Sequence, residues 1–275
     1  MKSQVALEDQ TYTIIIPSYN EGERLPATLD RLLSYIRFKG WDAEIIVVDD
    51  GSQDNTAELA RGYAEHHPEV RVLQNPGNRG RGYSVRNGVM HARGTVLLYT
   101  DADLSSPIEE SAKLFAELSA GADVAIGSRW LDPNLQTQRQ PLYRQMLGRV
   151  FNFLMRSILD LEIKDTECGF KAFTRSAAMS LIPVLHMDHW GMDSEMLFVA
   201  KKRGFVLKEI PVQWSNDPRT KVDPVLDSIN QFFDLLRVRW YDMRGEYRDV
   251  PMKAPVTAIP AMPDHSFAAT EPAAK

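Results

Sequence analysis

EIIVVDDGS, residues 44–52, reads as a buried strand cut off by two acids and a glycine. A short β-branched apolar run closed by turn residues is the mark of a strand covered on both faces. Upstream, Tyr12–Ile16 is a similar run that stops at Pro17, and Glu23–Phe38 between them carries Leu25, Leu29, Leu32, Leu33 and Ile36 at helical spacing. Downstream, Asp54 is placed to cap a helix over Thr56–His66, and Val70–Leu73 is a third strand. Asn75–Gly82 is a glycine-bearing loop, Tyr83–Ala92 a helix, and Thr95–Tyr99 a strand that runs into Asp101–Ala102–Asp103. Strands alternating with helices at this pitch predict βαβ units and an α/β fold with a mainly parallel central sheet. Ligands of such sheets sit beyond the carboxyl ends of the strands. That rule selects Pro17–Glu21, Asp49–Ser52 and Asp101–Asp103, all acidic or polar.

The pattern continues with a strand at Asp123–Gly127, then Gly127–Ser128–Arg129. Arg139–Asp160 reads as a connection and a helix, with Arg144, Arg149 and Arg156 between apolar positions. A helix over Ser194–Lys202, a strand at Val206–Ile210 and an amphipathic helix at Val225–Tyr241 complete one domain, residues 11–245. Residues 1–10 read as an N-terminal tail. Residues 246–275, rich in Pro, Ala and Met, read as a disordered tail.

The 275 residues, 44% hydrophobic and 25% charged, are ordinary globular composition with enough apolar content for a core. A net charge of −5 argues against a surface that coats nucleic acid. The single cysteine, Cys168, excludes an internal disulfide and fits a reducing compartment, the cytoplasm. No signal peptide is visible and no run of 18 apolar residues occurs, so contact with a membrane is expected to be peripheral. The histidines His66, His67, His91, His186 and His189 show no paired metal spacing.

Asp101 and Asp103 flank one residue in what reads as an extended segment, so both carboxylates are expected on the same side. Two hard oxygen ligands side by side suit Mg²⁺ or Mn²⁺, and a departing diphosphate needs such a cation. Asp49 and Asp50 either form a turn or accept hydrogen bonds from a nucleobase or ribose. Asn78–Arg79–Gly80–Arg81–Gly82 sets two guanidinium groups among glycines, where backbone and charge can both approach phosphates. Neither a dinucleotide-binding Gly-x-Gly-x-x-Gly nor a Walker loop is present, which counts against dehydrogenases and NTPases.

Taken together, Ile14–Glu21, Val47–Ser52 and Thr100–Asp103 resemble the inverting glycosyltransferases of family two, which have the Rossmann-like GT-A fold. Asn78–Gly88, Asp165–Lys171 and Trp190–Glu195 are similar to the polyprenyl-phosphate sugar synthases, above all the dolichyl-phosphate β-glucosyltransferases. The resemblance implies that Pro17, Glu21 and Asp50 contact the nucleotide, with Tyr19, Asp49, Arg79 and Ala102 in the same motifs. It implies that Asp101 and Asp103 hold the metal and that Arg129 receives the acceptor phosphate. Arg219 and Lys221 match a basic phosphate-contacting segment. Arg81 stands where the family usually carries lysine, and the transmembrane helices of eukaryotic and some bacterial relatives have no counterpart.

The resulting expectation is a glucosyl transfer from UDP-glucose to a lipid phosphate at the membrane surface, with GDP-mannose as the other donor. The acceptor phosphate is anionic near neutrality, because its second pKa is about 6. Arg129 with Arg139 or Arg144 can then hold it as a fork. Asp193 and Glu195 bind sugar hydroxyls, or one serves as general base if the acceptor is an alcohol. A soluble transferase acting on a glycan hydroxyl and a non-catalytic nucleotide-sugar sensor are the competing readings.

Overall fold

A computed structural model describes residues 10–138, 142–217 and 226–248 of the chain. Seven strands form one sheet: β1 (Thr11–Ser18), β2 (Asp42–Asp49), β3 (Val70–Gln74), β4 (Val96–Tyr99), β5 (Val124–Ser128), β7 (Lys171–Thr174) and β8 (Leu207–Pro211). Their order is β3-β2-β1-β4-β7-β5-β8, while the short β6 (Gln136–Gln138) and β9 (Trp214–Ser215) pair separately. All pairings in the main sheet are parallel except those of β7, which is antiparallel to both β4 and β5.

Alternation along the strands divides the core into two layers. Ile14, Ile16, Val47 and Leu98 face α1 (Leu25–Lys39), α2 (Thr56–His66) and α4 (Ser111–Ser119). Ile15, Val48, Leu97, Tyr99 and Phe173 face the other layer, built from α3 (Arg81–His91), α5 (Leu142–Leu159), α6 (Arg175–Leu181), α7 (Gly191–Lys202) and α8 (Leu226–Arg244). Leu25, Leu29, Leu32 and Ile36 of α1 are buried at the spacing that the sequence shows, each worth about 2 kcal/mol in transfer free energy. The helix stops at Gly40, whose φ of 61° lets its N–H reach back to the Arg37 and Ile36 carbonyls.

Several expectations are corrected. The segment Asp101–Asp103 is a turn, not extended chain: Leu104 takes φ 47° and its N–H donates to the Asp101 carbonyl at 3.2 Å. Asp54 accepts the Thr56 N–H at 3.0 Å, but the cap position of α2 is Asn55, whose side chain makes no cap bond. The helices α4 and α6 and the strand β7 appear where no element was expected. Tyr247, inside the segment read as tail, is buried.

Two features of this topology position the site. The carboxyl ends of β1, β2, β4 and β5 lie on the ligand side of the sheet. Because β7 runs the other way, its first residue, Lys171, sits there too, directly opposite Tyr99.

Candidate active site

The loop between β3 and α3 is held by one buried acid. Asp50 accepts the Arg79 N–H (2.9 Å) and the Asn75 amide (2.7 Å) on one oxygen, and the Gly80 N–H (2.8 Å) on the other. Gly80 has φ 104°, and a Cβ there would lie 2.4 Å from the Asp188 carbonyl, so only glycine fits. Both oxygens of Asp50 therefore serve the loop. Its neighbour Asp49 is fully buried and accepts from Ser52 N–H and the Gln74 amide, each at 3.2 Å.

That tether aims Arg81 across the strand ends. Its guanidinium donates to Asp101 (3.0 Å) and Asp193 (2.6 Å) and lies over the rings of Tyr99 and Trp190. Burial disfavours its charge, but Asp101 and Asp193 outweigh that and raise its pKa well above the ordinary value. Asp193, at the start of α7, also accepts from Lys171 Nζ (2.6 Å) and from the Tyr99 hydroxyl. Burial alone would raise its pKa. Lys171 and Arg81 win and hold it below the usual carboxylate range. Lys171 itself is completely buried and gives a second bond to the Cys168 carbonyl at 2.7 Å. Asp101, Arg81, Asp193 and Lys171 thus form one connected array of alternating charge, which satisfies ions that would otherwise be costly to bury.

On the other side of Asp101, Arg24 forks onto Glu21 (2.5 and 2.6 Å) and extends to Asp103 (3.4 Å) and Asp217 (3.6 Å). Burial and then the neighbouring Asp101 charge raise the pKa of Asp103, with the Ser105 N–H and Arg24 pulling it back. Two like charges this close, with the Asp101 side chain 40% exposed, offer hard oxygen atoms to a divalent cation. The donor set fits. Gly169 presses on it, since a Cβ there would fall 1.9 Å from a carboxylate oxygen of Asp101. Among the described residues no group of three acids, histidines or cysteines is arranged to hold a metal by itself. A cation on this pair would therefore take its remaining ligands from elsewhere.

Arg129 leaves the end of β5 and is fixed from below. Its Nε and Nη2 fork onto Asp165, both at 2.7 Å, and its guanidinium lies 5.5 Å from the Trp214 ring and 5.9 Å from that of Trp130. Glu167, two residues past Asp165, accepts from the Gln231 amide of α8 at 3.1 Å, and its other oxygen is buried with no hydrogen bond in the structure. Burial first, then the nearby Asp193 charge, push its pKa up to about 8. Burial likewise pushes the Cys168 thiol up to about 12, so it is inert as a nucleophile at neutral pH.

The structure brings together Glu21, Asp50, Arg79, Asp101, Asp103 and Asp193 around the loop and the strand ends, with Ser18 of β1 and Ala102 bordering them. Pro17 and Tyr19 lie at the end of β1, and the Ala102 carbonyl accepts from Thr28 at 2.6 Å. Glu195 is placed elsewhere. It is fully buried and accepts from the His186 and Met187 N–H groups (2.9 Å each) and the Tyr247 hydroxyl (2.7 Å). Arg139, Arg219 and Lys221 lie outside the described residues, and for Arg144 only the backbone, in α5, is described. Sequence reasoning gave no role to Arg24 or Tyr99, and it quoted Asp165 and Lys171 only as the ends of a family-like motif, without a role for either. A lysine inside an otherwise apolar strand, K-A-F-T, is a further signal that was there to find.

Residues 13–182 match Glycosyl transferase family 2. A Trichomonas vaginalis protein named dolichyl-phosphate beta-glucosyltransferase is 36% identical over 246 residues, spanning 85% of this chain and 72% of its own length. Proteins of the same name from Drosophila melanogaster (36% identity) and Homo sapiens (33%) each span 86% of this chain, and 76% and 77% of their own. Among solved structures, glucosyl-3-phosphoglycerate synthase from Mycobacterium tuberculosis, complexed with Mn²⁺, UDP and glucosyl-3-phosphoglycerate, superposes with a TM-score of 0.66. It is 18% identical and covers 86% of this chain and 82% of that one. Mannosyl-3-phosphoglycerate synthase from Rubrobacter xylanophilus gives 0.64 at 18% identity, covering 86% and 76%. At that identity the structural likeness speaks to fold alone.

Proposed function

The chain belongs to glycosyltransferase family 2 with the GT-A fold, and from that premise we propose that it moves glucose from UDP-glucose to a polyprenyl phosphate, with inversion. The observation that carries the reading is the charge array of Asp101, Arg81, Asp193 and Lys171 at the carboxyl ends of the strands. The names of the relatives support the sugar and the lipid acceptor.

In the proposed reaction an oxygen of the lipid phosphate bonds to the anomeric carbon as the bond to the diphosphate breaks. The electron pair leaves with the nucleoside diphosphate. Mg²⁺ or Mn²⁺ held by Asp101 and Asp103 would neutralise the leaving group. Arg81, kept cationic by two carboxylates, stabilises charge on the donor side. Arg79 lies 5.0 Å over the Tyr83 ring, at the mouth of the loop that Asp50 shapes for the diphosphate. Asp193, ionised and rigidly held, orients Arg81 and can accept a sugar hydroxyl. Arg129, locked in one rotamer by Asp165, receives the acceptor phosphate, so that step needs orientation rather than a general base. Glu195 has no part in it, because its oxygens serve the protein backbone and Tyr247. The work is done at the cytoplasmic face of a membrane. Among the described residues no helix is long and apolar enough to cross one.

The test is release of UDP from UDP-glucose by purified protein with Mn²⁺ or Mg²⁺, with and without polyprenyl phosphate, and with GDP-mannose as the competing donor. Release that requires the lipid phosphate is expected. Replacing both Asp101 and Asp103 by Ala should slow it roughly a thousandfold. Normal turnover of that double variant in chelator would overturn the proposal, and release with a glycan alone would replace the acceptor.

A further inference from the structure

Arg24 is the buried cation of the site to which the transfer chemistry gives no task, and its place is set by backbone. The Glu21 carbonyl accepts the Arg24 N–H at 2.9 Å and the Leu25 N–H at 2.8 Å, and the Glu21 N–H donates to Thr56 Oγ1 at 2.7 Å. The turn that starts α1 is thereby pinned to α2. One turn into α1, the Thr28 hydroxyl donates to the Ala102 carbonyl at 2.6 Å, which pins the helix to the Asp101–Asp103 turn. These ties fix the distance at which the Arg24 guanidinium meets Asp103.

The two oxygens of Asp103 are not equivalent. Oδ1 accepts the Ser105 N–H at 2.9 Å, whereas Oδ2 faces Arg24 Nη1 at 3.4 Å. The oxygen with no backbone bond, the better one for a metal, is thus already opposed by a positive charge. Both side chains are largely enclosed, Arg24 12% and Asp103 18% exposed, so solvent screens them little. Asp101 has its own arginine, but the two contacts differ. Arg81 forks onto Asp101 with Nε at 3.2 Å and Nη2 at 3.0 Å. Arg24 commits its fork to Glu21, at 2.6 and 2.5 Å, and reaches Asp103 through one stretched contact. A competing cation can therefore take Asp103 without stranding Arg24, which keeps Glu21.

We infer that Arg24 is a built-in rival of the divalent cation at Asp103, and that it makes tight cation binding conditional on the donor's diphosphate. The inference rests on the metal-assisted reading above and deepens it by naming what regulates that site. A cation that approaches Asp103 alone must push aside a guanidinium and meet its repulsion. A diphosphate adds anionic oxygens that serve the cation and the guanidinium together, which offsets that repulsion. Cation and diphosphate are thereby coupled, and each tightens the other by the same factor.

The test is Mn²⁺ binding to the full chain, followed by the electron paramagnetic resonance of the free ion, with and without UDP. The wild type should bind Mn²⁺ weakly alone and at least about tenfold more tightly with UDP. Arg24→Met should bind Mn²⁺ alone about tenfold more tightly than the wild type, and its gain on adding UDP should shrink by a similar factor. Arg24→Lys keeps the charge and should stay within about threefold of the wild type. Arg31→Met removes an exposed arginine of α1 that pairs with Glu109, and should change nothing. A wild type that binds Mn²⁺ equally well with and without UDP overturns the inference, and that result needs no variant to fold. So does an Arg24→Met variant with a cooperative melt and an unchanged or lower Mn²⁺ affinity. Equal tightening in Arg24→Lys or Arg31→Met overturns it as well. A wild type that binds no Mn²⁺ even with UDP would instead remove the metal from the proposed reaction.

Discussion

Asp193 and Glu195 stand two residues apart on α7, both completely enclosed, and they do opposite jobs. Two residues along a helix is more than half a turn, so the side chains leave on different sides. One side meets Lys171, Arg81 and Tyr99 at the strand ends. The other meets the 186–187 backbone and Tyr247, deep between α7 and the end of the domain. The lesson is that burial of an acid marks neither catalysis nor structure. The partner decides: side-chain charges gathered at the strand ends, where a substrate can engage them, or backbone N–H groups that nothing can replace.

The sharpest way to break this comparison is Asp193→Ala. It strands Lys171 without its anion and releases Arg81, so we expect a roughly thousandfold loss of kcat together with about 3 to 5 kcal/mol of stability. Denaturant melts and turnover on the same preparation measure both. Glu195→Ala should separate the two quantities. Unsatisfied N–H groups at His186 and Met187 should cost about 3 kcal/mol, while the protein that remains folded turns over within a few-fold of wild type. Equal loss of turnover in both variants would erase the distinction.

Glu167 sharpens the contrast on the site side, where a third acid is accommodated by a proton rather than a cation. Its folded pKa of about 8 lies above the unfolded value of about 4.3. The stability it contributes is therefore complete below about pH 4.3 and lost as the pH rises through about 8. Glu167→Gln should remove that slope, a difference of up to about 5 kcal/mol by pH 9 in thermal melts across pH. A parallel pair of stability curves would show that Glu167 is ionised like its neighbour. The smallest effect belongs to Tyr247→Phe, which deletes one hydroxyl from Glu195 and should cost about 1 kcal/mol with no change in kcat.

Much of the first half of the domain was legible. The runs at Tyr12–Ile16 and Glu44–Val48 lie on buried strands, and Leu25, Leu29, Leu32 and Ile36 are on the inward face of α1, because period and composition agree there. The second half was not. β7 is four residues long, begins with a charge and pairs antiparallel, so neither length nor alternation announced it. Its lysine is tolerable only because of Asp193, 22 residues later, a dependence that no local window contains. The pair Asp101 and Asp103 was found by its place after a strand, yet its geometry was misjudged. The left-handed Leu104 bends the segment into a turn that side-chain chemistry alone does not signal. Arg24 escaped notice because its partners Glu21, Asp103 and Asp217 are spread along the chain.

The reversed strand also dictates an order of assembly. Strands β3, β2, β1 and β4 are neighbours in the sheet, so all four can pair once residue 99 has left the ribosome. Strand β5 has only β7 and β8 beside it, both made later, and waits for them as an orphan. Asp101 and Asp103, the proposed metal ligands after β4, thus belong to the part of the sheet that can form early in synthesis, whereas Arg129 at the end of β5 gains its Asp165 partner and the strand beside it only later.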